Sequence, residues 1–218
     1  MDVQQLVKTI RRKSSFLCVG LDPDPDKMPQ HLGAGPEAVL RFNWAIIDAT
    51  ADLAVAYKPN VAFYEAMGSV GWDVLSKTLE AIPEGCLRIA DAKRGDIGNT
   101  ATRYAQAAFE QWGADAVTVA PYMGRDSVEP FLAFQDKWTI LLAATSNPGA
   151  EDFEFHGSEQ GSPLWRRVFE VSRTYQGAER LMYVVGATRP ELLAQCRAAA
   201  PDRFLLVPGV GAQGGSLE

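Results

Sequence analysis

Short apolar runs, rich in β-branched residues, recur along the chain, and each ends at a polar residue or at glycine or proline. They occupy residues 16–21, 54–57, 86–90, 116–120, 139–144, 181–186 and 204–207. Their spacing is close to the roughly 30 residues of a βαβ unit. Because the apolar positions are nearly continuous rather than alternating, the pattern predicts strands that are buried on both faces of a parallel sheet.

The segments between these runs carry apolar residues at helical spacing. Val74, Leu75, Leu79 and Ile82 form one such stripe. Alternating strands and helices leave two architectures open, a doubly wound open sheet and a (β/α)8 TIM barrel. The absence of Gly-x-Gly-x-x-Gly after the first strand weakens the open sheet, and charged residues at several strand ends favour the barrel. We expect one α/β barrel domain over residues 1–218, with about seven βα units and the eighth missing at the C-terminal end.

Composition narrows the class of protein. The 218 residues carry a net charge of −6, with 47% hydrophobic and 22% charged residues, which is typical of a soluble globular protein. No apolar run approaches the roughly 20 residues that span a bilayer, and the N-terminus lacks a signal peptide, so we expect no membrane partner. The acidic balance argues against nucleic-acid binding. Three widely spaced cysteines predict free thiols and a cytoplasmic location.

Charged residues stand at the ends of the first three predicted strands. Asp22 follows the first and Lys58 the second, while Asp91, Lys93 and Asp96 follow the third. In an extended strand, Asp91 and Lys93 would share one face because they are two residues apart. Several charges that converge at one barrel mouth are costly as a purely stabilising network, so the pattern favours a functional site. His31 and His156 are isolated and lack metal-ligand spacing, so we expect no metal and no cofactor.

The third strand and its loop carry a specific resemblance. Residues 88–101, Arg-Ile-Ala-Asp-Ala-Lys-Arg-Gly-Asp-Ile-Gly-Asn-Thr-Ala, resemble the signature of orotidine 5′-phosphate decarboxylases. Residues 20–22, 58–60, 146–151 and 208–215 resemble further segments of that family in the same order, and the long connections resemble its longer bacterial-type form. The resemblance implies a TIM barrel that converts orotidine 5′-monophosphate (orotidylate) to UMP and carbon dioxide, the last step of de novo pyrimidine nucleotide biosynthesis. It further implies a homodimer with shared active sites.

The resemblance also implies catalytic roles. Asp91 would lie beside the substrate carboxylate, and Lys93 would deliver a proton to the ring carbon as carbon dioxide leaves. Lys58 and Asp96 would complete the charge array, with Asp96 supplied by the partner subunit. A lysine in this role needs no cofactor, because a fixed cation stabilises the developing carbanion and the same group is the general acid.

Substrate-binding residues follow from the same resemblance. Asp22 and Lys58 would bind the ribose, Thr100 of the partner subunit a ribose hydroxyl, and Ile97 is assigned to the same substrate site. Ser146 would form a hydrogen bond to the pyrimidine. Pro208 and Gln213 would belong to the glycine-rich loop that closes over the phosphate and the base.

Two other functions stay open at this point. Sugar-phosphate decarboxylases and hexulose-phosphate synthases carry a related Asp-x-Lys-x-x-Asp segment but use a divalent metal. A degenerate barrel that only dimerises or binds nucleotide is the second alternative, because the family's eighth strand and its phosphate-binding arginine do not follow Gly215. We therefore expect intact catalytic residues with weak phosphate recognition.

Overall fold

A computed structural model describes residues 1–157, 161–210 and 214–215 of the chain. Within these residues, strands and helices alternate as the sequence predicts. The strands are β1 (Leu17–Leu21), β2 (Ala54–Pro59), β3 (Leu87–Arg94), β4 (Ala116–Val119), β5 (Trp138–Ala144), β6 (Leu181–Val185) and β7 (Leu205–Leu206). The helices are α1 (Val3–Lys13), α2 (Pro36–Thr50), α3 (Val61–Glu65), α4 (Ser69–Glu80), α5 (Gly98–Gln106), α6 (Arg125–Leu132), α7 (Leu164–Ser172) and α8 (Pro190–Ala199).

The chain divides into two compact units. The first consists of Met1–Ala92 and Arg103–Val117, and the second of Lys93–Thr102 and Thr118–Glu218. In the first unit, β1 pairs with β2 and β2 with β3, and both pairings are parallel. In the second, β5 pairs with β6 and β6 with β7, again in parallel. The predicted parallel βα pattern is therefore present in each unit, and the assignment of residues 1–218 to one domain stays a prediction.

A buried polar network holds the end of β1 in the first unit. The Asn43 side-chain amide donates to the Tyr64 hydroxyl at 3.0 Å and to the Thr78 hydroxyl at 2.9 Å. The Tyr64 hydroxyl donates to the Leu21 carbonyl at 3.4 Å. Burial raises the pKa of Tyr64, so the phenol stays neutral and remains a donor. The network links α2, α3 and α4 to the residue that precedes Asp22.

Helix α1 was not predicted from the apolar pattern. Asp2 and Gln5 form a reciprocal capping box at its start, and Ser14 ends it in a left-handed conformation. Near its end, the Lys13 ammonium donates to the carbonyls of Ala51 at 2.6 Å and Ala54 at 2.7 Å. This one side chain therefore ties α1 to the turn that leads into β2.

In the second unit, β6 is buried along its whole length, and its Tyr183 packs against α7. The ring of Tyr183 lies 4.3 Å from that of Phe169, centroid to centroid, and its hydroxyl is 2.8 Å from the Ser172 hydroxyl. Strand β7 is shorter than predicted, with two residues that are half-buried. The paired ends of β5 and β6 are joined further by a hydrogen bond from the Gly186 amide to the Ala144 carbonyl at 2.8 Å.

Candidate active site

A lysine–aspartate ion pair lies at the C-terminal ends of β2 and β3. Lys58 Nζ is 2.9 Å from Asp91 Oδ2, and the two side chains are only 15% and 10% exposed. Parallel pairing between Asn60 and Asp91 extends the contact between these strands beyond their regular register. The structure thus brings together two of the residues singled out in the sequence. Charges so far removed from water are tolerable because each is the partner of the other.

The electrostatic surroundings of Lys58 favour its charged form. Burial by itself lowers the pKa of the ammonium group, but attraction to Asp91 and Asp22 and the hydrogen bond to Asp91 outweigh burial, so the net shift is upward. Nearby, burial raises the pKa of the Cys18 thiol to about 11, with Lys58 opposing this shift and Asp91 adding to it. Lys58 is therefore cationic and Cys18 neutral at physiological pH.

Asn60 links Asp22 to this ion pair. Its side-chain amide lies 3.4 Å from Asp22 Oδ2, and its backbone N–H donates to the Leu21 carbonyl at 3.3 Å. Its side-chain oxygen accepts from the Ala62 N–H at 3.3 Å and so caps α3. Asn60 lies in the family-like segment 58–60, and the sequence pattern assigns it no role. An asparagine between a strand and an amphipathic helix is a capping indicator that would have identified it.

Lys93 lies in β3 but departs from strand geometry. Its φ is 48°, a left-handed value that is uncommon for a residue with a side chain, and it is exposed. Its N–H donates to the Thr118 hydroxyl at 2.9 Å within the second unit. The argument that Lys93 shares one face with Asp91 assumed an extended backbone, which Lys93 does not adopt, so the placement of the two side chains stays a prediction.

Asp96, Ile97 and Thr100 lie around the start of α5. The Asp96 carboxylate accepts from the Ile97 N–H at 2.8 Å, and the Ile97 carbonyl accepts from Ala101 at 3.4 Å. Ile97 is 50% exposed, and Thr100 is exposed on the first turn of the helix. The side chains of Ile97 and Thr100 are therefore accessible to a ligand or to another subunit.

The remaining predicted substrate residues lie after β5 and β7. Ser146 is half-buried beyond the end of β5, and its neighbour Gly186 has no room for a larger residue, because an added Cβ would be 2.7 Å from the Ser146 Cβ. The Pro208 carbonyl accepts from the Ala187 N–H at 2.9 Å. Gln213 lies outside the described residues.

The described residues contain neither a cluster of metal ligands nor a helix that could cross a membrane. In residues 1–157, 161–210 and 214–215, no group of three or more histidine, cysteine, aspartate or glutamate side chains is arranged to hold a metal ion. In that same part of the chain, no helix combines the length and the apolar character needed to cross a bilayer. All three cysteines, Cys18, Cys86 and Cys196, are free thiols.

Parallel βα units with paired charges at the carboxyl ends of the strands define an enzyme of the (β/α)-barrel class, because such barrels build their active sites at these ends. Residues 15–218 match the family described as orotidine 5′-phosphate decarboxylase / HUMPS. The chain belongs to this family, and the resemblance inferred from residues 88–101 is confirmed.

Individual relatives agree with this assignment. Proteins named orotidine 5′-phosphate decarboxylase from Flavobacterium johnsoniae and Christiangramia forsetii are each 57% identical, over 100% of this chain and 80% and 81% of theirs. Among solved structures, OMP decarboxylase of Leishmania donovani aligns with a TM-score of 0.86 and 39% identity, over 95% of this chain and 79% of that one. The predicted α/β barrel fold class is confirmed.

Proposed function

We propose that this chain decarboxylates orotidine 5′-phosphate to UMP and carbon dioxide, with Lys93 as the proton donor. The observation that carries the proposal is the largely buried Lys58–Asp91 pair, 2.9 Å apart, at the strand ends of a chain that belongs to this family. Relatives 57% identical to it are named for this activity.

The reaction breaks the bond between the ring carbon and the carboxylate, and the bonding electron pair stays on the ring carbon. With no cofactor to take up this charge, a fixed cation is needed where it develops, because preorganised charge in a dry site acts more strongly than in water. In the proposal, Lys93 supplies this cation and then transfers its proton to the carbon. Lys58, held protonated by Asp91 and Asp22, is a permanent cation beside the reacting groups.

The proposed substrate contacts are those that the family resemblance implies. Asp22 and Lys58 bind the ribose and Ser146 the pyrimidine, while Pro208 and Gln213 belong to the loop that covers phosphate and base. Asp96, Ile97 and Thr100 act in the neighbouring subunit of a homodimer, and the exposure of Ile97 and Thr100 supports this part of the proposal. The location we propose is the cytoplasm, which the free cysteines support.

The experiment that tests both the chemistry and the shared site uses two inactive variants. Lys93→Ala and Asp96→Ala proteins are each assayed for decarboxylation and then unfolded and refolded as a mixture. Mixed dimers would contain one site free of both changes, so part of the activity should return. Lys77→Ala removes an exposed lysine that pairs with Asp73 on α4, and it is the matched control that should keep full activity.

Two results would contradict the proposal. If Lys93→Ala protein decarboxylates the substrate at the wild-type rate, another group is the proton donor. If mixed dimers form but no activity returns, Lys93 and Asp96 serve the same chain's site, and the shared-site part of the proposal fails. UMP binding by Lys93→Ala protein should remain measurable, since the change removes the acid rather than the binding surface.

A further inference from the structure

The residues that follow β5 are held by a carboxylate that the sequence comparison did not single out. The Thr145 N–H donates to Glu154 Oε2 at 2.6 Å, and the Thr145 hydroxyl shares its one proton between Glu154 Oε1 at 2.8 Å and Asn147 Oδ1 at 2.6 Å. Both oxygens of Glu154 are thus committed to the residue immediately before Ser146. Hydrogen bonds to an ionised acceptor are shorter and stronger than those between neutral groups, so this clamp is firm.

Glu154 is itself fixed on both sides by the backbone. Its N–H donates to the Ala150 carbonyl at 2.8 Å, and its carbonyl accepts from the Trp165 N–H at 2.8 Å, near the start of α7. The backbone that carries this carboxylate is therefore anchored on both sides. Glu154 connects the end of a buried strand to the next helix through a single side chain.

Ser146 is confined between this clamp and β6. Thr145 precedes Ser146 in the chain, and Gly186 lies against Ser146 on its other side. A Cβ added at Gly186 would be 2.9 Å from the Ser146 amide nitrogen. Among the residues that the structure describes, the Ser146 hydroxyl has no hydrogen-bond partner. A polar group that is fixed in place without a partner is suited to a ligand, since no internal bond has to break on binding.

We propose that Glu154 is a positioning residue for recognition of the pyrimidine, acting through Thr145 on the Ser146 hydroxyl. The inference rests on the proposed function, which assigns Ser146 to the base. The carboxylate accepts from both the N–H and the hydroxyl of Thr145. Glutamine at position 154 would keep only a neutral acceptor for the N–H, and its N–H₂ group would turn the hydroxyl proton of Thr145 to Asn147, so the charge-assisted bonds would be lost. Loosening of Ser146 should reduce affinity for the base and leave the ribose and phosphate contacts unchanged.

A neighbouring carboxylate provides the matched control. Glu151 lies in the same loop and accepts from the Arg189 guanidinium at 2.6 Å, while that guanidinium also lies 4.4 Å from the centre of the Phe155 ring. This exposed contact holds the outer side of the loop and does not touch Thr145. Glu151→Gln therefore tests for a general effect of removing a charge from the segment.

The experiment measures binding of two ligands, UMP and ribose 5-phosphate, to wild-type, Glu154→Gln and Glu151→Gln proteins by calorimetry. Loss of one charge-assisted hydrogen bond corresponds to about 10-fold in affinity. Glu154→Gln should weaken UMP binding about 10-fold and leave ribose 5-phosphate binding unchanged, while Glu151→Gln should alter neither. Thr145→Val removes the hydroxyl donor alone and should reproduce part of the loss, with little further loss when combined with Glu154→Gln.

The inference is overturned if Glu154→Gln leaves UMP affinity unchanged, or if it weakens both ligands equally, which would indicate general damage to the site. Decarboxylase activity of the wild-type protein is measured in parallel. Absent activity combined with a base-specific loss on Glu154→Gln would refute the proposed reaction and retain the positioning role. Normal activity without that loss would refute the positioning role alone.

Discussion

The Lys58–Asp91 pair allows a quantitative prediction about stability. At the observed separation of 2.9 Å, the Coulomb attraction is about 6 kcal/mol for an effective dielectric constant of about 20. Desolvation of the two ions offsets several kcal/mol of this, so the pair contributes little net stability against an apolar replacement. Removing one partner is different, because the remaining, largely buried charge loses the attraction of an opposite charge 2.9 Å away.

The perturbation is a double-mutant cycle of Lys58→Met, Asp91→Asn and their combination. We expect each single change to lower the free energy of unfolding by about 3–5 kcal/mol. Asp91→Asn should lie at the lower end of this range, because Asp22 still attracts the ammonium group. The double variant should cost no more than Asp91→Asn alone, which gives a coupling energy of at least about 3 kcal/mol.

The assay is urea unfolding followed by tryptophan fluorescence at neutral pH. A second cycle at Lys77 and Asp73 on α4 is the matched control, because that pair is 2.7 Å apart but its side chains are 48% and 59% exposed. Exposed pairs of this kind contribute about 0.3–0.5 kcal/mol. A coupling energy at Lys58–Asp91 no larger than that of the α4 pair would refute the argument from burial.

The pH dependence of the same pair has a definite sign. The folded-state pKa of Lys58 is raised above the ordinary value of 10.5, so its contribution to stability is fully present below pH 10.5 and is lost as pH rises through the folded-state pKa. The stability difference between wild-type and Lys58→Met proteins should therefore be constant near neutrality and shrink in alkaline solution. A difference that instead shrinks between pH 8 and pH 6 would contradict the assigned shift.

Four further outcomes are expected. Decarboxylation should survive a chelator, whereas loss of activity that magnesium restores would favour the metal-dependent sugar-phosphate alternative. Lys13→Met should lower the free energy of unfolding by about 1.5–3 kcal/mol in urea titrations, since two carbonyls lose a charged donor, and unchanged stability would contradict that role. Gly186→Ala should cost about 1–3 kcal/mol in thermal unfolding because its Cβ meets Ser146, a conclusion that a neutral variant would disprove. With its pKa near 11 instead of 9.0, Cys18 should react with iodoacetamide about 100-fold more slowly than an ordinary thiol, as mass spectrometry can follow.

The strands were predictable because their indicator is local. A nearly continuous apolar run is required of any strand buried on both faces, and each of the predicted runs overlaps a strand of the structure. The positions of Lys58 and Asp91 followed, since carboxyl ends of neighbouring parallel strands lie together. Strand β7 was predicted too long because an apolar run gives no information about where pairing stops.

Other features were inaccessible because they depend on contacts distant along the chain or on a single backbone angle. Glu154 clamps Thr145 across a loop that has no periodic pattern. The left-handed backbone at Lys93 has no compositional indicator, since lysine does not favour that region. Helix α1 begins with a capping box formed by Asp2 and Gln5. This pair of residues was a sequence indicator of the helix that the apolar pattern did not provide.

The left-handed conformation of Lys93 has a consequence for how this position tolerates variation. An L-residue with a side chain held at a φ of 48° carries a backbone cost of about 1–2 kcal/mol, which glycine avoids and asparagine reduces. If Lys93 is the proton donor that we propose, folding and catalysis select different residues at this one site. A library randomised at position 93 and sorted only for folded protein would accumulate glycine and asparagine. The same library grown without a pyrimidine source would return lysine. The native lysine therefore makes the folded chain less stable than glycine at the same position would.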